Sequence, residues 1–278
     1  MVTGSAGMLG TDAVQMLRDS GHKVVAHTRA SLDLTDPAAV AVAVVGIDVV
    51  LHCAAWTAVD DAETQEEAAG KANAVIPGVV AAAASASGAR MVQISTDYVF
   101  AGDATEPYPE DARTDPRSAY GRTKAAGEEA VRAGLPEDHL IVRTAWLYGA
   151  HGGCFPKTIA RAAAERGALS VVSDQVGQPT WTVDVVDLVQ RLVAADAPSG
   201  TYHATSSGTT SWFGFARAVV ASAGMDPELV SPCDTAAFPR PAPRPAYSVL
   251  GHDALLRIGV EPIADWADRW GVASAVVL

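Results

Sequence analysis

The chain has 278 residues, 49% hydrophobic and 19% charged, so it can bury a large core without metal or disulfide staples and is too apolar to be disordered. Twenty basic against 32 acidic residues give a formal charge of −12, which argues against a nucleic-acid polymer or an anionic membrane as partner, because both demand a basic footprint. Cys53, Cys154 and Cys233 are far apart and form no CxxC pair or metal-ligand grouping, so free thiols, no metal site and a reducing, cytoplasmic compartment are expected.

Only Met1-Val2-Thr3 precedes the first glycine, so a short first strand is expected. Gly4-Ser5-Ala6-Gly7-Met8-Leu9-Gly10 then opens a helical pattern over Thr11–Ser20, which Gly21 stops. Glycines at that spacing let the backbone turn tightly and approach a pyrophosphate, whose charge meets the helix N-terminus. The pattern alone is weak; the strand, loop, helix and strand around it give it weight. Val24–His27 is the next strand candidate, followed by Thr28, Arg29 and Ser31. A carboxylate there would hydrogen-bond an adenosine ribose. A cation with hydroxyls instead suits a 2′-phosphate, which favours NADPH and leaves NADH possible. Asp33, next to Leu34, is placed to accept from the adenine amino group.

The most apolar stretch, Ala38 to Trp56, is broken by Gly46, Asp48 and His52. It predicts a helix and a buried strand, Val49–His52, and not a membrane span. Ala54 and Ala55 after that strand are small enough for a cofactor to lie against them. Trp56 offers a cover, although packing is the commoner use of a tryptophan. An alanine-rich helix over Val79–Ala86 leads to strand candidates Met91–Ser95 and Leu140–Arg143, with a helix over Ser118–Ala133 between them. Short apolar runs alternating with helices predict an α/β fold, a doubly wound parallel sheet of Rossmann type.

Beyond residue 150 the rhythm loosens. Ser170–Asp174 predicts a strand and Thr182–Ala195 a helix. Pro239, Pro241, Pro243 and Pro245 on alternate positions force an extended surface segment. The expected organisation is a dinucleotide-binding part over residues 1–150, to which later segments return, and a smaller, mainly substrate-binding cap over residues 151–278.

Tyr120 and Lys124 are four apart on a predicted helix and share one face. A free tyrosine, with a pKa of about 10, is a poor acid–base group near neutral pH. A nearby ammonium and a nicotinamide cation favour the phenolate and lower that value. The solvated-face alternative is weakened by the position of the pair, after the fourth strand of a dinucleotide-binding pattern. Ser95-Thr96-Asp97-Tyr98-Val99-Phe100 lies at the carboxyl end of that strand, where open α/β sheets bind ligands. Ser95 and Thr96 alternate across the strand, and Thr96 is the better candidate for a cleft-facing hydroxyl.

The glycine loop, the Ser95–Phe100 segment and Tyr120–Lys124 together resemble the extended short-chain dehydrogenase/reductases, and more narrowly the dTDP-4-dehydrorhamnose reductase family. Further matches are Ala54–Asp60, Asn73, Arg143–Gly149, Phe155–Thr158, Asp174–Thr180 and Arg244–Leu250, so the likeness spans nearly the whole chain. The resemblance implies Tyr120 as proton donor, Lys124 as its pKa partner and nicotinamide-ribose ligand, and Thr96 as the group that tunes the tyrosine and contacts substrate. It implies sugar contacts from Asp97 and Trp146. It implies a cofactor lining of Gly7, Met8, Leu9, Asp33, Leu34, Ala54, Ala55 and Trp56, with Asn73 in a proton relay. Trp56 stands where such reductases often carry tyrosine, and no asparagine precedes Phe155; both departures bear on the sugar more than on the chemistry.

The expected function is therefore reduction, with NAD(P)H, of the C4 ketone of a dTDP-4-dehydro-6-deoxyhexose, foremost dTDP-4-dehydro-L-rhamnose to dTDP-L-rhamnose. Another dTDP-deoxysugar ketone is a close alternative. A nucleotide-sugar epimerase or dehydratase, and a non-catalytic dinucleotide-binding regulatory subunit, are the rivals from other classes; a monomer or homodimer fits each. Two anionic ligands on a −12 protein require positive charge concentrated in the cleft. Arg29 at the adenosine end, and Arg240 and Arg244 beside the substrate diphosphate, are the candidates.

Overall fold

The computed structural model describes Met1–Leu278. In chain order its first half comprises β1 (Val2–Thr3), α1 (Met8–Asp19), β2 (Ala26–His27), α2 (Pro37–Ala43), β3 (Val49–His52), α3 (Val59–Ala62), α4 (Glu66–Gly70), α5 (Ile76–Ser87), β4 (Arg90–Thr96), α6 (Ala119–Gly134) and β5 (His139–Thr144). There follow β6 (Leu147–Tyr148), α7 (Phe155–Arg166), β7 (Leu169–Val172), β8 (Val176–Gly177), β9 (Thr180–Trp181), α8 (Thr182–Ala194), β10 (Gly200–His203), α9 (Trp212–Ser222), α10 (Asp253–Arg257) and α11 (Trp266–Val277). No helix is long and apolar enough to cross a membrane.

Six strands form one parallel sheet in the order β2-β1-β3-β4-β5-β10. The chain runs outward from β1 in both directions, so the crevice between the carboxyl ends of β1 and β3 is the topological switch point, the usual ligand site of such sheets. The two loops there are in contact: a Cβ on Gly4, whose φ is +64°, would sit 2.7 Å from the Ala54 nitrogen. Only glycine fits that approach.

Both faces of the sheet are covered. One carries α1, α8 and α10 over Val2, Leu51, Val92, Leu140 and Val142. The other carries α2, α5 and α6 over Val50 and Met91. This two-sided burial explains why the strands are continuous apolar runs instead of alternating ones. The sixth strand and α8 come from residues 182–203, so the chain beyond residue 150 contributes to the sheet. A second core, with Tyr148, Phe215, Val219 and Trp270 at its centre, is assembled from α7, α9 and α11 around β7.

The predicted strand at Val24–His27 shrinks to Ala26–His27, because Val25 is exposed on an edge strand. The predicted helix at Thr11–Ser20 begins three residues earlier, with Gly7 as its N-cap. The strand predicted at Ser170–Asp174 forms as β7 but pairs with Val230–Cys233, outside the main sheet. The proline-rich stretch has Thr235–Ala237 as a short 3-10 turn and then follows the surface, with Pro245 lying against Gly102.

Helix α6 approaches the rest of the molecule through its glycines. A Cβ on Gly127 would fall 1.9 Å from the Asn73 carbonyl oxygen, in a π-helical turn over Lys71–Val75. Gly127→Ala is therefore expected to lose about 1–3 kcal/mol, the usual cost of overpacking, as a lower urea midpoint with an unchanged slope.

Candidate active site

Strand β4 delivers two neighbouring hydroxyls to opposite sides. Ser95 donates to Glu128 Oε1 at 2.6 Å and is turned into the α6 interface. Thr96 takes the other side. Its Oγ1 accepts from the Tyr98 N–H at 3.2 Å, capping the turn Asp97–Val99, and lies 2.9 Å from Asp97 Oδ1. Helix α6 starts beside it, with Ser118 Oγ accepting from the Gly121 N–H at 3.1 Å and Glu63 accepting from the Ala119 N–H at 2.8 Å. Tyr120 in the first turn is thereby carried against Tyr98, edge to face at 5.6 Å between centroids. Gly121 permits this contact, since a Cβ there would sit 2.1 Å from the Tyr98 carbonyl.

Burial raises the pKa of the Tyr120 phenol; the Thr96 hydroxyl pulls it back toward phenolate, and the Asp97 charge adds to the rise. Lys124 lies one turn along, also buried, and donates from Nζ to the Ile94 carbonyl at 2.6 Å. Burial lowers its pKa to about 8, against the opposing charges of Glu128 and Cys53. The ammonium is thus anchored on the β4 backbone, one helical turn from the phenol. Asp97 is buried, which lifts its carboxyl to about 6, with Ser248 and Thr96 opposing.

At the dinucleotide end, α1 has no side-chain cap at Gly7, so its first-turn N–H groups are left for a ligand. Gly10 packs on Gly4, where a Cβ would fall 2.2 Å from the Gly4 carbonyl oxygen. Met8 is half-buried beside this turn, whereas the Leu9 side chain lies in the core, so Leu9 offers only its backbone to the loop. Arg29 is exposed and unpaired, on a turn closed by the Thr28 N–H donating to Ser31 Oγ at 3.0 Å. Asp33 uses Oδ1 to accept from the Thr35 N–H and hydroxyl, which hold its pKa down and leave Oδ2 free. Leu34 packs against the core under α2. Ala54 lies against Gly4, Ala55 is exposed beyond it, and Trp56 packs near Tyr120.

Asn73 does not reach Lys124. Its Oδ1 accepts from the Trp56 N–H at 2.8 Å, and its Nδ2 donates to the Trp56 carbonyl and to Thr123 Oγ1, both at 3.1 Å. The amide clamps the loop after β3 to α6.

Trp146 follows β5 with φ at +48°, a conformation that costs on the order of 1–3 kcal/mol for a non-glycine residue. Its ring stacks on Trp212 at 3.6 Å between centroids and 7° between planes, and a Cβ on Gly177 would touch the same ring at 2.5 Å. The stack and the glycine hold the strained residue. Nothing in the sequence spacing signalled Trp212. Arg244 is not a free cation: it donates to Asp60 Oδ2 at 2.8 Å and to the Ala242 carbonyl at 3.2 Å. Arg240, at 4.0 Å from the same carboxylate, keeps a 60% exposed side chain. Asp60 was the missed partner, although it closes the Ala54–Asp60 segment.

The family model described as RmlD substrate binding domain matches residues 1–275. The chain belongs to this family. A Streptomyces griseus relative named dTDP-4-dehydrorhamnose reductase is 47% identical over 272 residues, covering 96% of this chain and 90% of its own. A Streptomyces antibioticus relative named probable dTDP-4,6-dihydroxy-2-methyloxan-3-one 4-ketoreductase is 46% identical over 274 residues, covering 96% and 91%. A solved Bacillus anthracis dTDP-4-dehydrorhamnose reductase in complex with NADP is 36% identical, with a TM-score of 0.93 over 98% of this chain and 96% of its own. The RmlD family places the chain among oxidoreductases that act with a nicotinamide cofactor.

Behind the site, Glu128 pairs with Arg143 through two hydrogen bonds of 2.8 and 2.7 Å, both side chains being almost fully buried. Burial alone would raise the pKa of Glu128, but Arg143, Ser95 and Arg132 together hold it below the usual carboxylate value. Arg143→Met would remove the bidentate partner and leave the buried charge to the half-exposed Arg132 at 3.0 Å and to Ser95, so a loss of about 3 kcal/mol is expected in urea unfolding at pH 7. Because the wild-type pKa is depressed, the advantage over the variant is present above the unfolded pKa and fades as pH falls through the folded one.

Proposed function

We propose that the protein uses NADPH to reduce the C4 ketone of a dTDP-4-dehydro-6-deoxyhexose. dTDP-4-dehydro-L-rhamnose, giving dTDP-L-rhamnose, is the first choice of substrate. The observation that carries the reading is the convergence of Thr96, Tyr120 and Lys124 at the carboxyl end of β4, one strand away from the crevice between Gly4 and Ala54. The uncapped N-terminus of α1 fits a pyrophosphate, and the glycine cradle leaves no room for a side chain at Gly4 or Gly10. The bound nicotinamide supplies the hydride. Tyr120 protonates the oxygen that becomes an alkoxide, Thr96 hydrogen-bonds in the same cluster, and Lys124, anchored on Ile94, meets the nicotinamide ribose. The unpaired Arg29 favours NADPH by offering a cation to a 2′-phosphate.

Substrate positioning falls to the strained Trp146 and to Asp97 at the strand end, with residues 151–278 mainly forming the substrate cap. Arg240 is the exposed cation for the diphosphate, and Arg244 serves once its pairing with Asp60 is exchanged for the ligand. A second substrate, the ketone of another dTDP-deoxysugar, is favoured by the 46% identity to the Streptomyces antibioticus ketoreductase.

The direct test is NADPH oxidation with dTDP-4-dehydro-6-deoxyhexoses, with the product identified by NMR. Tyr120→Phe is expected to lose about 10²- to 10⁴-fold in kcat, the range of general acid–base catalysis, while retaining NADPH binding. Near-normal turnover by that variant would refute the assignment. Arg29→Ala is expected to raise KM for NADPH and leave KM for NADH unchanged.

A further inference from the structure

Three segments far apart in the chain meet on the Trp146 indole. Trp146 leaves β5 with φ at +48°, in the left-handed region that a bulky residue occupies only when its surroundings hold it there. Its carbonyl accepts from the Thr180 N–H at 3.3 Å, and Leu147–Tyr148 pair with Thr180–Trp181. Thr210–Ser211 pair with Val176–Gly177, which brings Gly177 and Trp212 to the same ring. Trp212 stacks on that ring at 3.6 Å between centroids and 7° between planes, and a Cβ on Gly177 would fall 2.5 Å from its Cε2 atom.

Trp212 is itself fixed from behind. Ser211 Oγ accepts from the Gly214 N–H at 3.1 Å and caps α9, so Trp212 opens that helix. The Phe155 ring at the start of α7 lies 4.5 Å from the Trp212 ring and 5.6 Å from the Phe215 ring. Trp212 therefore packs on the second core, while Trp146 follows directly on a strand of the main sheet. The stacked pair is a flat contact between the two, and both indoles stay half-buried.

We infer that Trp212 is a positioning residue for the sugar site, holding the Trp146 indole in its left-handed pose and so setting the affinity for the ketosugar. The inference rests on the reading of Trp146 as a sugar contact. A tryptophan at positive φ returns to an ordinary backbone region once its ring is released, and the ring then leaves its place. The binding-competent fraction falls, and the apparent affinity falls with it. Tyr120 and Lys124 stand on α6 and Gly4 on the far side of the sheet, so neither the chemistry nor the dinucleotide crevice depends on the stack. The placing of α7 and α9 is thereby carried into the sugar site by one aromatic contact.

The test is NADPH oxidation with the ketosugar concentration varied, beside the circular dichroism of each variant. The wild type is expected to show the exciton couplet of two stacked indoles, and Trp212→Leu to lose it. Trp212→Leu keeps an apolar side chain on the second core but has no flat face. It is expected to raise KM for the ketosugar about tenfold, with kcat and KM for NADPH within about twofold. Trp212→Phe, which keeps a flat ring, is expected to bring that KM back to within about threefold of wild type. Trp146→Leu is expected to raise KM for the ketosugar, and Trp212→Leu to add nothing to it in that background, because the one residue acts through the other. Gly177→Ala presses on the same ring with Trp212 in place; it is expected to raise the same KM and decides the matter if Trp212→Leu does not fold. The inference is overturned if the wild type shows no couplet, if ketosugar KM is unchanged in Trp212→Leu or in Gly177→Ala, if the leucine and phenylalanine variants behave alike, or if the Trp212→Leu effect adds in full to that of Trp146→Leu. An unchanged ketosugar KM in Trp146→Leu would instead overturn the reading of Trp146 itself, so the two failures are separable.

Discussion

Glu128 on α6 accepts hydrogen bonds from Arg143 on β5 and Ser95 on β4, and all three side chains are buried. A charge in that position is tolerated only while its partners are in place, because desolvation otherwise outweighs everything it gains. The joint therefore fixes α6 against the ends of two strands. Lys124 and Tyr120 lie one and two turns before Glu128 on the same helix, and Thr96 follows Ser95 on the same strand. The register of Tyr120, Lys124 and Thr96 is inherited from a buried ion pair. Arg143 is further held by the Phe100 ring, 4.8 Å below its guanidinium, and by the Glu110 carbonyl at 3.2 Å.

The acidity of the chain and its two anionic ligands are reconciled by where the positive potential lies. Helix α1 leaves its N-terminus uncapped, Arg29 stands unpaired after β2, and Lys124 is buried near the centre. Backbone dipoles and a few cations in a crevice exert more local influence than a net charge spread over the surface. Elsewhere the basic residues are largely engaged, as Arg122 is with Glu66 and Arg269 with Asp184.

The C-terminal segments complete the site from above. Asp60 in the first turn of α3 holds Arg244 and the Ala242 N–H, and Gln178 exchanges two hydrogen bonds with the Leu250 backbone. Trp146 is kept in its strained conformation by Trp212 from α9. These contacts cross between the two cores, so the substrate side of the cleft is shaped by residues more than 60 positions apart.

Much of the dinucleotide fold was legible in the chain, because it rests on local signals. The glycine loop, apolar runs at Val49–His52 and Met91–Ser95, and the four-residue spacing of Tyr120 and Lys124 each declare themselves within a few residues. So did the candidates Thr96, Tyr120 and Lys124, through motifs of short spacing. The partnerships among them were not legible. That Lys124 is held by Ile94, that Asn73 clamps Trp56, that Asp60 engages Arg244 and that Ser95 faces away from Thr96 all depend on which side chains meet across 17 to 184 residues. The sequence by itself determined the sheet, the glycine loop and the candidate residues beside it, since periodicity and backbone geometry are short-range. Only the tertiary structure decided which polar groups meet and which charges remain free, because burial and pairing set both.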